Sequence, residues 1–241
     1  MTGKTYAEII HLPQVLDSVA PNTPPANRRV HTAEHFFLVA HQTSELWLKQ
    51  VLMDLAEATV AVGRPNRDLP QAIEHVERAA AVLRLVAAHV AVFRRLLPGD
   101  FAAFRPTFGN ASGAQSEQFH RLRGELGLHG QPSVLFAEFV AAVAEQSTTL
   151  EAIYRQAPQS GDLYRLAESL ADLSQAAWHW QLDHVETVTR VIGRAPGTGG
   201  TTGAEYLTRR LAAPFPQLWE ARSLLYRADG GVKCPHDANQ S

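Results

Sequence analysis

The sequence predicts an all-α protein, a bundle of long helices around one core. Apolar residues recur at steps of three and four along almost the whole chain, which is the spacing of a single helical face. β-Branched residues are scattered, and the alternation typical of strands does not persist anywhere. With 241 residues and 45% hydrophobic content, the chain is long enough to bury a core without disulfides or a structural metal.

The first part of the chain is predicted to hold an arm and two long helices. Four prolines make residues 13–29 an extended arm or loop. The first long helix is expected over residues 33–62, because the sequence Gly-Arg-Pro-Asn at 63–66 ends it. The second is expected over residues 69–97, because a Pro-Gly pair follows it.

The rest of the chain predicts further helices separated by two loops. Three helices are expected, over residues 115–127, 132–156 and 161–193. The segments 105–113 and 196–203 contain the helix-breaking glycines and prolines and are expected to be loops. Two short helices and a polar tail complete the sequence.

The chain is predicted to form a single domain. No internal repeat and no low-complexity linker divides residues 1–241, and this length suits one large domain. Within it, residues 1–29 are the N-terminal arm, and residues 228–241 are expected to be a disordered tail.

Composition excludes several classes of protein. The 22 Lys and Arg against 24 Asp and Glu give a net charge of −2, which excludes a strongly basic nucleic-acid binder. A single cysteine excludes an internal disulfide and any multi-thiolate metal site, and it suits a reducing cytoplasm. No apolar run approaches the roughly 18 residues of a membrane span, and the polar N-terminus differs from a signal peptide. We therefore expect a cytoplasmic protein whose metal or cofactor chemistry rests on its 11 histidines and its carboxylates.

Two histidines occupy positions that helical spacing assigns to apolar faces. His184 lies in a stripe of apolar residues over 163–191, with steps of three and four. His41 lies one turn after Phe37, on the same face. Two interpretations stay open for each histidine. The ring is either hydrogen bonded to a backbone carbonyl in the core, or it is a ligand that points into an apolar cavity.

A short pattern near the start of the first long helix has the form of a zinc motif. His31, Glu34 and His35 match H-x-x-E-H, in which two histidines one turn apart hold zinc and the glutamate is a general base. No third ligand follows downstream. We favour a solvated helix N-terminus, where Glu34 interacts with the helix dipole, over a zinc hydrolase.

Two further features suit a small polar ligand. The loop at 197–203, with sequence GTGGTTG, lacks the context of a Rossmann or P-loop site, but its amides and hydroxyls are able to close over a polar group. Arg105 lies among phenylalanines, where a guanidinium requires a carboxylate partner. That carboxylate belongs either to a buried glutamate or to an amino-acid substrate.

Three segments together form a pattern that is more specific than any single motif. They are HQTSELWLK at 41–49, ASGAQSEQF at 111–119, and HVETVTRVIG at 184–193 running on to GTGGTTGAEYL at 197–207. This combination resembles the tryptophan 2,3-dioxygenase family, within a superfamily of histidine-ligated haem oxygenases. The resemblance extends from Tyr6 to about residue 222.

The resemblance implies a haem site. His184 would be the proximal ligand of the iron of haem b, which is used in its ferrous state. His41 would be the distal histidine, within reach of the indole N–H. Ser112 would lie near both the haem and the substrate.

The resemblance also implies a site for an amino acid and O2. Phe37 would form a wall of the indole pocket, and Arg105 would bind the substrate carboxylate. Thr198 would contact the substrate ammonium or carboxylate as the glycine-rich loop closes. Tyr6 would reach into the site of a neighbouring subunit, which implies a homotetramer.

The implied activity is a haem-dependent dioxygenation of L-tryptophan or a close derivative that opens the indole C2–C3 bond to give N-formyl-L-kynurenine. Three departures from the family pattern leave an alternative open. Ile9 replaces a second N-terminal tyrosine, Ala114 replaces an aromatic residue beside the substrate loop, and Phe101 replaces a tyrosine. A reshaped pocket would suit a biosynthetic monooxygenase that converts tryptophan or β-methyltryptophan to a 2-oxindole. A non-catalytic haem-binding sensor is the alternative from another class.

Overall fold

The computed structural model describes residues 3–63, 65, 67–197 and 200–228. These residues form eleven α-helices and no strand, which confirms the all-α prediction. The helices are α1 Tyr6–Ile9, α2 Leu12–Asp17, α3 Arg28–Val62, α4 Leu69–Val90, α5 Pro98–Phe104, α6 Glu117–Glu125, α7 Val134–Glu145, α8 Leu150–Gln156, α9 Gly161–Ile192, α10 Ala204–Thr208 and α11 Pro216–Ala228. Short 3₁₀ turns cover Ala91–Arg95, Arg105–Phe108, Gly113–Gln115 and Ala157–Ser160.

The N-terminal arm is more helical than expected. The prediction of an extended segment is wrong for residues 13–17, which belong to α2. Pro13 lies in the first turn of that helix, where a missing N–H costs no hydrogen bond. Helix α3 then begins at Arg28, five residues before the expected start.

Two other predicted helices are interrupted. The second long helix leaves α geometry after Val90, and the next helix begins at Pro98, which the sequence had suggested as a stop. The helix expected over 132–156 is divided into α7 and α8. Ser147 has a positive φ of 54°, and the hydroxyl of Thr149 accepts a hydrogen bond from the Ala152 N–H to start α8.

The chain divides into two compact units. The first comprises Met1–Lys49, Arg84–Phe119 and His179–Leu211. The second comprises Gln50–Leu83, His120–Trp178 and Ala212–Ser241. Helices α3, α4 and α9 each contribute residues to both units. The single domain over 1–241 stays a prediction, and residues 229–241 of the expected tail lie outside the described residues.

The apolar stripe on α9 forms part of the core of the second unit. Leu166, Leu170 and Leu173 are fully buried there. The stripe continues to Trp180 and His184 in the first unit, where His184 is half-buried. None of the helices in the described part of the chain is long and apolar enough to span a membrane.

A buried carboxylate organises polar contacts inside the second unit. The side chain of Asp54 is 2% exposed, and His75 and Gln50 each contact one of its oxygens at 3.0 Å. The Arg78 guanidinium donates hydrogen bonds to both oxygens. Burial alone would raise the pKa of Asp54, but the hydrogen bonds from Arg78, Gln50 and His75 outweigh it and lower the pKa.

We expect Asp54→Asn to lower the free energy of unfolding by about 3 kcal/mol, because it removes the charge that pairs with Arg78 and His75. This value is at the lower end of the range expected for breaking a buried ion pair, because the side chain of Arg78 is 44% exposed and stays partly hydrated. Urea unfolding followed by circular dichroism measures it. Glu74→Ala is the matched control, since Glu74 pairs with the same arginine from an exposed position and its loss should cost under about 0.5 kcal/mol. Equal effects of the two substitutions would contradict the role of Asp54.

Candidate active site

The site residues suggested by the sequence fall into the first unit. Phe37 and His41 lie on α3, and His184 lies on α9. Arg105 begins the 3₁₀ turn after α5, and Ser112 precedes the turn Gly113–Gln115. Thr198 lies outside the described residues.

His184 is a neutral imidazole without a polar partner among the described residues. Burial, and to a lesser extent the electrostatic effect of nearby His41, lowers the pKa of His184 to about 4. The side chain of His184 is nevertheless only half-buried, so part of its surface is accessible. The interpretation of a core histidine bonded to a backbone carbonyl therefore finds no support in the described contacts. A neutral imidazole with a free lone pair is suited to bind a metal ion.

Aromatic stacking fixes the orientation of the His184 ring. Trp180, one turn earlier, stacks on it with ring centroids 5.5 Å apart and 25° between the planes. Phe119 stacks on Trp180 at 5.0 Å and 18°. Two polar atoms near His184, Nε1 of Trp180 and Oγ1 of Thr187, are buried and have no hydrogen-bond partner in the described structure. Such orphaned groups are rare in a complete native site.

His41 is also neutral, and its hydrogen bond identifies the free ring nitrogen. Its Nδ1 donates to the carbonyl of Phe37 at 2.9 Å, which leaves Nε2 as an acceptor. Burial by surrounding protein lowers the pKa of His41, and the nearby charge of His89 acts in the same direction. Because the side chain still has an exposed surface, Nε2 is able to accept a hydrogen bond from a ligand.

A cluster of phenylalanines surrounds Phe37. The ring of Phe37 lies 4.0 Å from His41 and stacks on Phe108 at 5.3 Å between centroids. Phe101 and Phe104 are each 5.6 Å from it. The whole cluster comprises Phe36, Phe37, Phe93, Phe101, Phe104 and Phe108. It forms an apolar wall on one side of His41.

Sequence reasoning missed the turn Ala91–Arg95. Phe93 packs 5.0 Å from His41, and the next residue, Arg94, donates to Asp183 and Glu186 at 2.9 Å each. Asp183 and Glu186 flank His184 on α9. This turn therefore contacts His41 directly and two residues next to His184. Phe93 followed by Arg94 was the feature of the sequence that could have indicated it.

Arg105 has no carboxylate partner among the described residues. Its guanidinium lies 5.9 Å from the ring centroid of Phe101 and donates one hydrogen bond to the carbonyl of Pro196 at 2.5 Å. Of the two partners considered from the sequence, a buried glutamate is not found in the described contacts. The remaining N–H groups are available to a ligand carboxylate.

Pro196 leads into the glycine-rich loop, of which residues 197 and 200–203 are described. The Gly197 N–H donates to the Thr201 carbonyl at 2.9 Å. Gly203 has a φ of 62°, and a Cβ there would lie 2.5 Å from the Ala195 carbonyl oxygen. Only glycine fits this position. Arg105 thus binds the residue that immediately precedes the glycine-rich loop.

Ser112 caps the turn Gly113–Gln115. Its hydroxyl accepts the Ala114 N–H at 3.3 Å, and its own N–H donates to the Gln115 side chain at 3.1 Å. Gln118 binds Glu45 on α3, at 2.8 Å to its carbonyl and 2.7 Å to its carboxylate. These contacts tie the segment to α3 one turn after His41. They do not bring Ser112 into contact with either histidine.

Tyr6 makes no hydrogen bond or ring contact with the other site residues that the structure describes. It begins α1, which the capping box of Thr5 and Glu8 stabilises, and its side chain is 72% exposed. A role in the site would require a second copy of the chain.

The H-x-x-E-H segment has a structural role. Glu34 is fully buried and accepts hydrogen bonds from the N–H groups of Asn22 and Thr23, at 2.9 and 2.8 Å. His31 donates from Nδ1 to the Thr23 carbonyl. The interpretation as a solvated helix N-terminus is wrong for Glu34, which instead anchors the segment before α3. Among the described residues no group of three potential metal ligands occurs, so the zinc alternative gains no support.

Comparison with known proteins identifies the family. The family model described as tryptophan 2,3-dioxygenase matches residues 1–146 and 137–225. The chain belongs to the tryptophan 2,3-dioxygenase family. A protein of that name from Paraburkholderia phytofirmans is 31% identical over 266 aligned positions, covering 92% of this chain and 84% of the relative. One from Burkholderia lata is 32% identical, covering 92% and 83%.

Membership confirms that the protein is an enzyme of a haem-dependent oxidoreductase family. The residues present fit a haem. His184 supplies a neutral imidazole, and the orphaned polar atoms of Trp180 and Thr187 lie one turn to either side of it. The roles of the individual residues are considered next.

Proposed function

We propose that this protein is a haem-dependent oxygenase that opens the indole ring of L-tryptophan or a close derivative, giving N-formyl-L-kynurenine. The observation that carries the proposal is the pairing of two neutral histidines. His184 has no polar partner among the described residues, and His41 is near enough to affect its pKa. Both atoms of O2 enter the product, so the reaction needs no external reductant.

His184 would hold the iron of haem b through its free ring nitrogen, supported by the stacked Trp180. The haem supplies the activation of O2, and the protein supplies binding, orientation and the exclusion of water. Because its pKa is low, His184 is unprotonated at neutral pH and available as a ligand.

The substrate would lie against the phenylalanine cluster. Phe37 and its neighbours would contact the indole, while Nε2 of His41 accepts the indole N–H. Arg105 would pair with the carboxylate, since no described protein carboxylate occupies its guanidinium. Because the substrate would be held at its indole N–H and at its carboxylate, the orientation of the indole C2–C3 bond within the site would be restricted.

Two residues of the expected site would act as the pocket closes. Thr198 in the glycine-rich loop would contact the ammonium or carboxylate, and Ser112 would lie at the edge of the haem and substrate. Arg105 supports this arrangement because it is already bonded to Pro196 at the base of the loop. Closure over the zwitterion would exclude water from the reacting atoms.

Tyr6 would complete the pocket of a neighbouring subunit in a homotetramer. Its 72% exposure, on a helix with exposed Ile9 and Leu16 nearby, supports a contact outside its own chain. We further propose that the enzyme acts in the cytoplasm.

Turnover of L-tryptophan under ¹⁸O2 by the ferrous, haem-reconstituted enzyme tests the reaction, with products analysed by mass spectrometry. Two heavy atoms in N-formylkynurenine support the dioxygenase. One heavy atom in a product with an intact indole ring would contradict it and support the monooxygenase. Haem uptake without tryptophan-dependent O2 consumption would support the non-catalytic sensor.

The second candidate is the 2-oxindole monooxygenase, which Ala114 favours. This small residue is exposed beside Ser112, where the family has an aromatic side chain, so a β-substituted tryptophan has more room. Inserting one oxygen atom reduces the other to water and requires two electrons from an external reductant. Dependence of turnover on an added two-electron reductant therefore separates the two candidates.

We expect Ala114→Phe to narrow the pocket and lower kcat/KM for β-methyltryptophan about tenfold more than for tryptophan, since one methyl group is worth roughly 1–3 kcal/mol in a tight pocket. Competition between the two substrates measures the ratio. Ala111→Phe, an exposed position in the same segment, is the control. An unchanged ratio in Ala114→Phe would show that Ala114 does not line the pocket.

A further inference from the structure

Two neighbouring side chains of the turn Ala91–Arg95 contact two different helices. Helix α4 leaves α geometry after Val90, and the five residues that follow form this 3₁₀ turn. Successive residues of a 3₁₀ turn are rotated by about 120°, so Phe93 and Arg94 lie on different sides of it. Phe93 contacts His41 on α3, whereas Arg94 binds two residues of α9. All of these side chains belong to the first compact unit.

Phe93 packs on both aromatic residues that α3 contributes to the proposed pocket. Its ring centroid lies 5.0 Å from that of His41 and 5.6 Å from that of Phe37. Since Phe37 is itself 4.0 Å from His41, two phenylalanine rings contact the imidazole. Phe93 is half-buried, so part of its surface is accessible. A ligand that donates a hydrogen bond to Nε2 of His41 is therefore expected within reach of Phe93.

Arg94 anchors the turn to α9. Its Nη2 donates to Asp183 and to Glu186, at 2.9 Å each. The side chains of Arg94 and Asp183 are 31% and 35% exposed, so this double pair is better shielded from water than a fully exposed one. On the other side of the turn, the N–H of the buried Leu96 donates to the Phe93 carbonyl at 2.9 Å. Because Arg94 directly follows Phe93, its anchor also determines where the ring of Phe93 lies.

We propose that Phe93 is a specificity-determining residue of the substrate pocket, and that Arg94 is the positioning residue that holds it against His41. This inference rests on the proposed function, in which His41 accepts the indole N–H. C7 is the position on the six-membered ring of indole that lies nearest to this N–H. A substituent at C7 would therefore meet the side chains around His41. Phe93 excludes such substituents and leaves room for unsubstituted L-tryptophan.

Phe93→Ala tests the specificity. We expect the dissociation constant of 7-methyltryptophan, divided by that of L-tryptophan, to fall about tenfold or more, since one methyl group in a tight pocket is discriminated by about 10- to 200-fold. Spectral titration of the haem holoenzyme with each ligand measures the two constants. Val92→Ala is the matched control, because Val92 belongs to the same turn and is exposed, and it should leave the ratio unchanged.

Arg94→Gln tests the anchor. It should lower the same ratio by about threefold or more, because the loss of a partly exposed ion pair lets the turn move. Adding it to Phe93→Ala should have no further effect, since Arg94 acts through Phe93. Arg95→Gln, at an exposed arginine of the same turn, is the control. Glu186→Gln removes one of the two carboxylates from a position that is 64% exposed, so it gives a milder test in the same direction should Arg94→Gln fail to fold.

A second measurement needs no substrate. Carbon monoxide is a probe for ferrous haem, and its infrared stretching band depends on the polar groups beside it. Phe93→Ala and Arg94→Gln should both shift or split the band of the holoenzyme, because His41 then loses its fixed orientation. Arg95→Gln should keep the wild-type band. In a His41→Ala background, where that polar group is absent, Phe93→Ala should no longer change the band.

The two measurements separate this inference from the reaction on which it rests. If the wild type oxidises L-tryptophan but Phe93→Ala leaves the affinity ratio or the carbon monoxide band unchanged, the reaction stands and the inference is overturned. It is also overturned if Arg94→Gln and Glu186→Gln both behave like the wild type. If the wild type forms no oxidised product from L-tryptophan while both measurements change as expected, the reaction is refuted and the roles of Phe93 and Arg94 stand. A wild type that binds neither ligand would overturn both.

Discussion

His184→Ala is expected to abolish stable haem binding. The purified variant should lose the Soret band, and its haem content should fall more than tenfold, because His184 is the residue proposed to hold the haem iron. Added imidazole should restore part of the spectrum by occupying the vacated space. Absorbance and haem quantification measure both effects.

The apoprotein distinguishes an iron ligand from a core histidine. A core histidine that loses a buried hydrogen bond would cost about 1–3 kcal/mol of stability on truncation. His184 makes no hydrogen bond with the described residues, so the apo variant should unfold near the wild-type midpoint. His179→Ala, an exposed histidine on the same helix, is the control and should keep its haem. Wild-type haem content in His184→Ala would refute the assignment.

Helical spacing predicted the long helices and the position of His184 within an apolar stripe. This succeeded because a helix that packs on a core must repeat apolar residues every three or four positions. The break between α7 and α8 was not predicted, because the apolar spacing continues across it. The start of α8 is instead set locally, by the N-cap residue Thr149. Pro13 was taken to exclude a helix, although proline is accepted in a first turn.

The contacts of the candidate site could be predicted less well than the helices, and the roles of its residues stay predictions. Single residues such as His41 and Arg105 stand out by type, but their partners are distant in sequence. The contact of Arg105 with Pro196 spans 91 residues, and that of Arg94 with Asp183 spans 89. Local spacing contains no signal for such pairs. It also gave no sign that Glu34 would be fully buried, because its two donors come from an irregular segment.

Arg105→Ala is expected to raise KM for L-tryptophan by roughly two to three orders of magnitude, with a smaller change in kcat. Leaving a buried carboxylate without its charged partner costs about 3–5 kcal/mol, and each 1.4 kcal/mol is a factor of ten. Arg105→Lys should recover part of the loss, since lysine keeps the charge but not the bidentate geometry. Arg95→Ala, an exposed arginine in a neighbouring turn, should leave KM unchanged.

Tryptamine, which lacks the carboxylate, separates substrate binding from loop support. If Arg105 binds the carboxylate, the wild type should prefer tryptophan to tryptamine strongly, and Arg105→Ala should lose most of that preference. If Arg105 only holds the loop through Pro196, the variant should weaken both ligands by the same factor. Spectral titration of the haem protein with each ligand measures the two affinities. A preference for tryptophan that survives in Arg105→Ala would place the carboxylate against another group, because the guanidinium is then not its partner.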